Sequence, residues 1–290
     1  MKIMYIGSSG ALSILPLRYL LEAEHSLCAV GVDAHQDSFL RDTRLSIIAA
    51  QNESVEMLAR MAGVPLINLR MPLADCVRAI REVSPDILLV SCFGRRLPQE
   101  ILDIPAHGCF NFHPSMLPAY RGPVPGFWQF RDGVENFGVS LHRMTVALDA
   151  GAIVAQRNVA MPDGVSNQQA SELIAQAYVD LLPDFLSALA SGNGHETVQD
   201  ESAASYMGYP QAEDFRVDTH WPARRMYNFM RATQHWGYVY PCAIDGVDYP
   251  LQIAHDFSEA ECPDKNLEID ADVIRVTCQP GVLTAGLALV

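Results

Sequence analysis

Several familiar patterns are missing from this 290-residue chain. Its seven cysteines (28, 76, 92, 109, 242, 262 and 278) include no Cys-x-x-Cys pair, and its nine histidines include no His-x-x-x-His pair. That argues against a disulfide framework and a zinc site, and it reads the cysteines as reduced, mostly core residues. No apolar run approaches the length of a membrane span, and the opening Met1-Lys2-Ile3-Met4-Tyr5-Ile6 reaches Gly7 too soon for a signal h-region. The expectation is a cytoplasmic protein with no membrane partner. Positive charge is also scarce: 20 Lys+Arg face 34 Asp+Glu, a net charge of −14. Residues 1–200 hold 14 and 21 of these, net −7, and residues 201–290 hold 6 and 13, again −7 in less than half the length. Residues 232–290 carry only Lys265 and Arg275 against nine acids. Proteins that grip nucleic acid gain most of their affinity from cations on phosphates, so this balance disfavours a large nucleic-acid partner. With 49% hydrophobic and 19% charged residues, the chain can build a sizeable core as one large or two medium domains.

What is present centres on Gly108 to Gly122, Gly-Cys-Phe-Asn-Phe-His-Pro-Ser-Met-Leu-Pro-Ala-Tyr-Arg-Gly. Gly108 to His113 alternates like a strand, which puts Asn111 and His113 on one face. Pro114 makes helix continuation unfavourable, so the pair should sit where a strand breaks into a loop, the place where ligands bind in open parallel sheets. An amide N–H beside an imidazolium N–H suits acyl transfer, in which negative charge grows on a carbonyl oxygen. A carboxylate would then orient and charge the imidazole, and Ala147-Leu148-Asp149-Ala150-Gly151 supplies one in a turn-like setting. The bland alternative is a structural Asn-x-His and a turn aspartate.

The rest of the chain reads as α/β. Lys2 to Ile6 predicts a strand, Gly7-Ser8-Ser9-Gly10 a turn and Ala11 to Leu21 a helix; the turn could hold an anion at the helix N-terminus or be a plain tight turn. Strand Leu27 to Val32 follows, and Asp33 after it keeps a nicotinamide-binding protein as a weak rival. Helical spacing returns at Arg44 to Ala62 and Leu73 to Val83, with a strand at Val64 to Leu69 between them. Ile87 to Cys92 reads as a central parallel strand. Gly138 to Met144 and Ile153 to Met161 read as paired strands around Asp149, and Ser166 to Ala190 as a long helix. His142 on that hairpin reads as packed or solvent-facing and stays outside the expected site. Ser191-Gly192-Asn193-Gly194 begins a linker.

Asn-Phe-His-Pro-Ser-Met-Leu-Pro-Ala-Tyr-Arg-Gly, then Gly138-Val139-Ser140-Leu141-His142-Arg143-Met144, then Leu148-Asp149-Ala150-Gly151-Ala152-Ile153 resemble the formyltransferases that use 10-formyltetrahydrofolate. That family includes methionyl-tRNA formyltransferase, glycinamide ribonucleotide formyltransferase and the sugar N-formyltransferases. The resemblance implies that Asn111, His113 and Asp149 are the catalytic residues. It further implies a pterin pocket formed by Phe93, Arg95, Arg96 and Leu97, with Ala147 and Leu148 also on the cofactor. Ser9, Gly10, Ser115, Tyr120 and Arg121 fall on the acceptor side. The co-substrate would be 10-formyltetrahydrofolate, with no metal. The implied fold is α/β, a Rossmann-like parallel-sheet formyltransferase domain over residues 1–190. A linker at 191–205 and a small OB-like β-barrel domain at 206–290 would follow, the latter resembling the C-terminal domain of methionyl-tRNA formyltransferases.

Two departures bear on the acceptor. Gly122-Pro123-Val124-Pro125-Gly126-Phe127-Trp128 differs from the small-residue run usual in methionyl-tRNA formyltransferases and looks closer to the versions acting on small amines. The barrel is acidic and lacks the basic extension expected after its last strand. The expected activity is therefore formyl transfer to a primary amine, foremost a small metabolite such as an amino sugar. Methionyl-tRNA formyltransferase is the alternative, with tRNA disfavoured by charge. A formylfolate hydrolase and a non-catalytic folate- or nicotinamide-binding protein also stay open, as does a homodimer.

Overall fold

The computed structural model describes residues 1–23, 25–33, 53–262 and 265–288. Strands β1 (Lys2–Gly7), β2 (Ser26–Val32), β3 (Leu66–Asn68), β4 (Ile87–Ser91) and β5 (Cys109–His113) run parallel. β6 (Asn136–Arg143) pairs antiparallel with β5, and β7 (Ile153–Ala160) completes a seven-stranded sheet of order β3-β2-β1-β4-β5-β6-β7. The helices of this part are α1 (Ala11–Glu22), α2 (Val55–Met61), α3 (Leu73–Val83) and α4 (Gln99–Leu102), and α5 (Pro125–Asp132) precedes β6. The expected helix at Arg44 to Ala62 lies partly outside the described residues; its described part is α2. β1 and β4 are buried almost throughout, as their uninterrupted apolar runs require of strands covered on both faces. Strand order reverses direction between β1 and β4, so the loops leaving the carboxyl ends of β1, β4 and β5 meet at the crevice where α/β sheets bind ligands.

The alternation in β5 sorts its side chains. Phe112 stacks on Tyr178 at 4.6 Å and Phe110 meets Phe185 edge-on at 4.9 Å. Both partners lie on α6 (Asn167–Ala190), which covers that face of the strand. Asn111 and His113 are thereby turned to the other face. By length and composition α6 could cross a membrane, with a mean hydropathy of 1.3 over an 18-residue stretch in which alanines and leucines outweigh Asp180 and Asp184. The expectation that no stretch approaches a span saw only unbroken runs. Ile174, Tyr178, Leu182 and Phe185 are nonetheless buried, as in a core helix.

The chain divides into two compact units, one of residues 1–121, 138–159 and 171–205, the other of 122–137, 160–170 and 206–290. Residues 191–205 thus pack within the first unit. The second contains α5, α7 (Ala223–Thr233) and strands β8 (Tyr240–Ile244), β9 (Val247–Ser258), β10 (Leu267–Asp270), β11 (Val273–Thr277) and β12 (Val282–Leu287). These strands form a curled antiparallel half-barrel of order β10-β11-β12-β9-β8. In the same unit Phe215, Phe229 and Trp236 surround Phe127, their ring centres 5.1–6.0 Å from its own. Cys76, Cys109, Cys242 and Cys278 are buried thiols, whereas Cys92 and Cys262 are exposed.

Candidate active site

The antiparallel register of β5 and β6 sets Asn111 opposite His142 and His113 opposite Ser140. Asn111 Nδ2 lies 3.2 Å from His142 Nε2, and His142 Nδ1 lies 2.9 Å from the Arg143 carbonyl. A carbonyl only accepts, so His142 carries its proton on Nδ1 and offers the Nε2 lone pair to Asn111. This bond fixes the rotation of the Asn111 amide and engages one of its two hydrogens. Asn111 is half-buried, and His142 is buried beneath it. His142, which the sequence reading set aside, is therefore part of the site. The signal for it was the i, i+2 phase of β6 against β5, which is usable only once the pairing register is known.

Asp149 stands in the turn between β6 and β7 with φ 53, the left-handed region uncommon for a non-glycine residue. Gly151 is required two positions on, because a Cβ there would lie 1.8 Å from the Arg143 carbonyl oxygen. The carboxylate faces both imidazoles, with Oδ2 3.7 Å from His113 Nδ1 and Oδ1 3.6 Å from His142 Nε2. All three residues are buried. His113 Nε2 lies 2.8 Å from the Tyr120 carbonyl, so it is the donor there and Nδ1 keeps its lone pair on the Asp149 side. Burial pushes His113 below its ordinary value of 6.5, outweighing the opposing pull of Asp149 and the Tyr120 bond. Asp149 favours the charged imidazole, as the sequence reading expected, but burial opposes it more strongly. Desolvation wins, and the imidazole is neutral at pH 7.

The other expected residues divide by environment. Phe93 is half-buried and packs against the core cluster that contains Leu97, as does Met144. Leu97 itself is buried, while Arg96 is exposed. The Arg95 guanidinium reaches the Leu69 carbonyl at 2.9 Å and Asp33 at 3.4 Å, and Arg70 also pairs with Asp33 at 2.7 Å. Asp33, the acid that kept the nicotinamide rival open, is thus held by two arginines. Ala147 and Leu148 enter the Asp149 turn, the first exposed and the second half-buried. Ser9 and Gly10 are exposed at the start of α1, which has no side-chain cap. Ser115 is fully buried, with its hydroxyl donating to the Ala119 carbonyl at 2.7 Å, an arrangement that shapes the loop rather than facing an acceptor. Tyr120 has φ 58 and Arg121 is buried, its guanidinium held by Gln199 and Glu201.

The site therefore offers a half-exposed amide donor and a buried neutral imidazole next to a carboxylate, a set suited to acyl transfer. The family model described as formyl transferase matches residues 49–186. Methionyl-tRNA formyltransferase of Syntrophomonas wolfei subsp. wolfei is 27% identical over 288 residues, covering 98% of this chain and 89% of that one. The methionyl-tRNA formyltransferase of Citrifermentans bemidjiense is 30% identical over 230 residues, 79% of this chain and 72% of that one. Among solved structures, an N-formyltransferase from Helicobacter canadensis in complex with folinic acid and dTDP-3-aminofucose superposes with a TM-score of 0.72 at 16% identity, covering 99% of both chains. The last likeness speaks for the fold alone. Identity at the level of the two sequence relatives, over most of each chain, makes this protein a member of the formyl transferase family.

Proposed function

We propose that this formyltransferase moves the formyl group of 10-formyltetrahydrofolate to the primary amine of a small metabolite, such as an amino sugar. The observation that carries the choice of acceptor is electrostatic. Each of the six arginines in the second unit already has a partner within that unit. Arg216, Arg224 and Arg275 pair with Asp248, Asp163 and Glu261. Arg131, Arg225 and Arg231 are bound to carbonyl groups, the first two also lying over Trp221. Cations so engaged on an acidic surface are poorly placed to replace phosphate counterions.

The residues present fit a pterin. Phe93, Leu97 and Met144 make an apolar wall at the carboxyl end of β4, and the exposed stretch 94–96 can present backbone donors and acceptors to a heteroaromatic edge. When bound, the co-substrate supplies a formyl carbon open to attack by an amine. Asn111 donates its remaining Nδ2 hydrogen to the formyl oxygen as negative charge develops there. His113 takes up at Nδ1 the proton that the amine loses. Asp149, on the same side, stabilises the imidazolium so formed, and the proton then passes to the departing nitrogen.

The second reading, methionyl-tRNA as acceptor, is favoured by the names of the sequence relatives. Tetrahydrofolate release from 10-formyltetrahydrofolate, followed by absorbance with panels of nucleotide-linked amino sugars, amino acids and charged initiator tRNA, separates the two. Release dependent on one small amine is the expected result, and release only with tRNA overturns the proposal.

A further inference from the structure

The turn that carries Asp149 is held from behind by a side chain outside every motif of the site. Gln199 is 5% exposed and donates both hydrogens of its amide, one to the Asp149 carbonyl and one to the Gly151 carbonyl, each at 2.7 Å. Its own oxygen accepts from Arg121 Nε at 3.1 Å and Nη2 at 2.8 Å. Both amide hydrogens and both lone pairs are used, which is what a buried amide requires. Arg121 continues the chain by forking onto both oxygens of Glu201, at 3.0 and 2.7 Å. Farther along the same segment, Ser205 Oγ accepts from the Tyr120 backbone N–H at 2.8 Å, and the Ser205 carbonyl accepts from that of Arg121 at 2.9 Å. Residues 199–205 therefore grip both sides of the site, the turn bearing Asp149 and the loop whose Tyr120 carbonyl fixes the His113 tautomer. Asp149 and Tyr120 both hold positive φ, at 53 and 58. Such conformations persist where the surroundings impose them.

We propose that Gln199 is a positioning residue for formyl transfer, clamping the Asp149–Gly151 turn to Arg121 so that the carboxylate stays set against the two imidazoles. This deepens the proposed function and rests on it. Gln199→Met removes all four hydrogen bonds at similar size. Gln199→Glu keeps an acceptor for Arg121 but loses both donations and turns an oxygen towards the two carbonyls.

The test uses the full chain, 10-formyltetrahydrofolate and whichever amine of the panel supports turnover. Titration calorimetry with 5-formyltetrahydrofolate reports folate affinity, and hydrogen exchange reports local opening. Misplacement of a catalytic group by about 1 Å costs on the order of 10²-fold, so both variants should lose about 10- to 100-fold in kcat while folate Kd moves by less than about threefold. Exchange should accelerate about tenfold over residues 147–152 and stay unchanged in β1 and β4, the signature of local opening. A kcat within about threefold of the parent chain overturns the proposal, as does acceleration spread through the whole first unit. Should the parent chain transfer to no amine at all, the proposed function fails instead. The exchange pattern then decides the clamp alone, with local acceleration supporting it and no acceleration overturning it.

Discussion

Replacing Asn111 by alanine should separate activity from stability. In the proposed reaction its amide is one preorganised donor to the developing oxyanion, and removal of one such donor costs about 10²–10³ in kcat, or about 2.7–4 kcal/mol. The structural cost is much smaller, because Asn111 is half-buried and gives up a single side-chain bond, to His142 Nε2 at 3.2 Å. One such bond is worth about 1 kcal/mol, a shift of about 2–4 °C in Tm for a protein of this size. Absorbance-monitored turnover and circular-dichroism melting read the two quantities on the same preparation. The partner variant His142→Ala frees the amide to rotate and should lower kcat by about tenfold. Because His142 acts through Asn111, the double variant should match Asn111→Ala within about twofold, a strong non-additivity. Asn111→Ala retaining kcat within about fivefold would refute the donor role. Simple additivity of the two substitutions would refute the coupling.

Two further outcomes follow from the same geometry. Burial holds His113 below 6.5, so the unfolded chain binds that proton more tightly than the folded one. Stability should therefore be complete above about pH 6.5 and fall as pH drops through the folded value, and kcat/KM should fall over the same range because the neutral imidazole is the proton acceptor. Denaturant titrations and pH–rate profiles between pH 4.5 and 8 check this, and activity rising as the imidazole protonates would reverse the assignment. Gly151→Ala places a Cβ 1.8 Å from the Arg143 carbonyl oxygen, so the turn must shift. The expected loss is about 1–3 kcal/mol in urea unfolding, with a drop in kcat well beyond that of a surface glycine replaced elsewhere, such as Gly192.

Much of this protein is local and was legible as such. Alternation at Gly108 to His113, stopped by Pro114, placed Asn111 and His113 on one face at a strand end. The apolar run at Ile87 to Cys92 foretold a doubly covered strand, the small-residue turn at Ala147 to Gly151 foretold Asp149 in a turn, and the charge count marked the acidic C-terminal part. These features rest on i, i+2 periodicity, backbone restriction and composition, which a sequence carries directly. Tertiary structure decided the rest. His142 joined the site through a strand register that spans 31 residues, and Gln199 reaches Asp149 across 50. Arg121 and Ser115 turned inward because the fold supplied partners for them, Gln199 and Glu201 for the first and the Ala119 carbonyl for the second. The resting charge of His113 was decided by desolvation against the pull of Asp149, a balance set by burial and distance, which exist only in the folded chain.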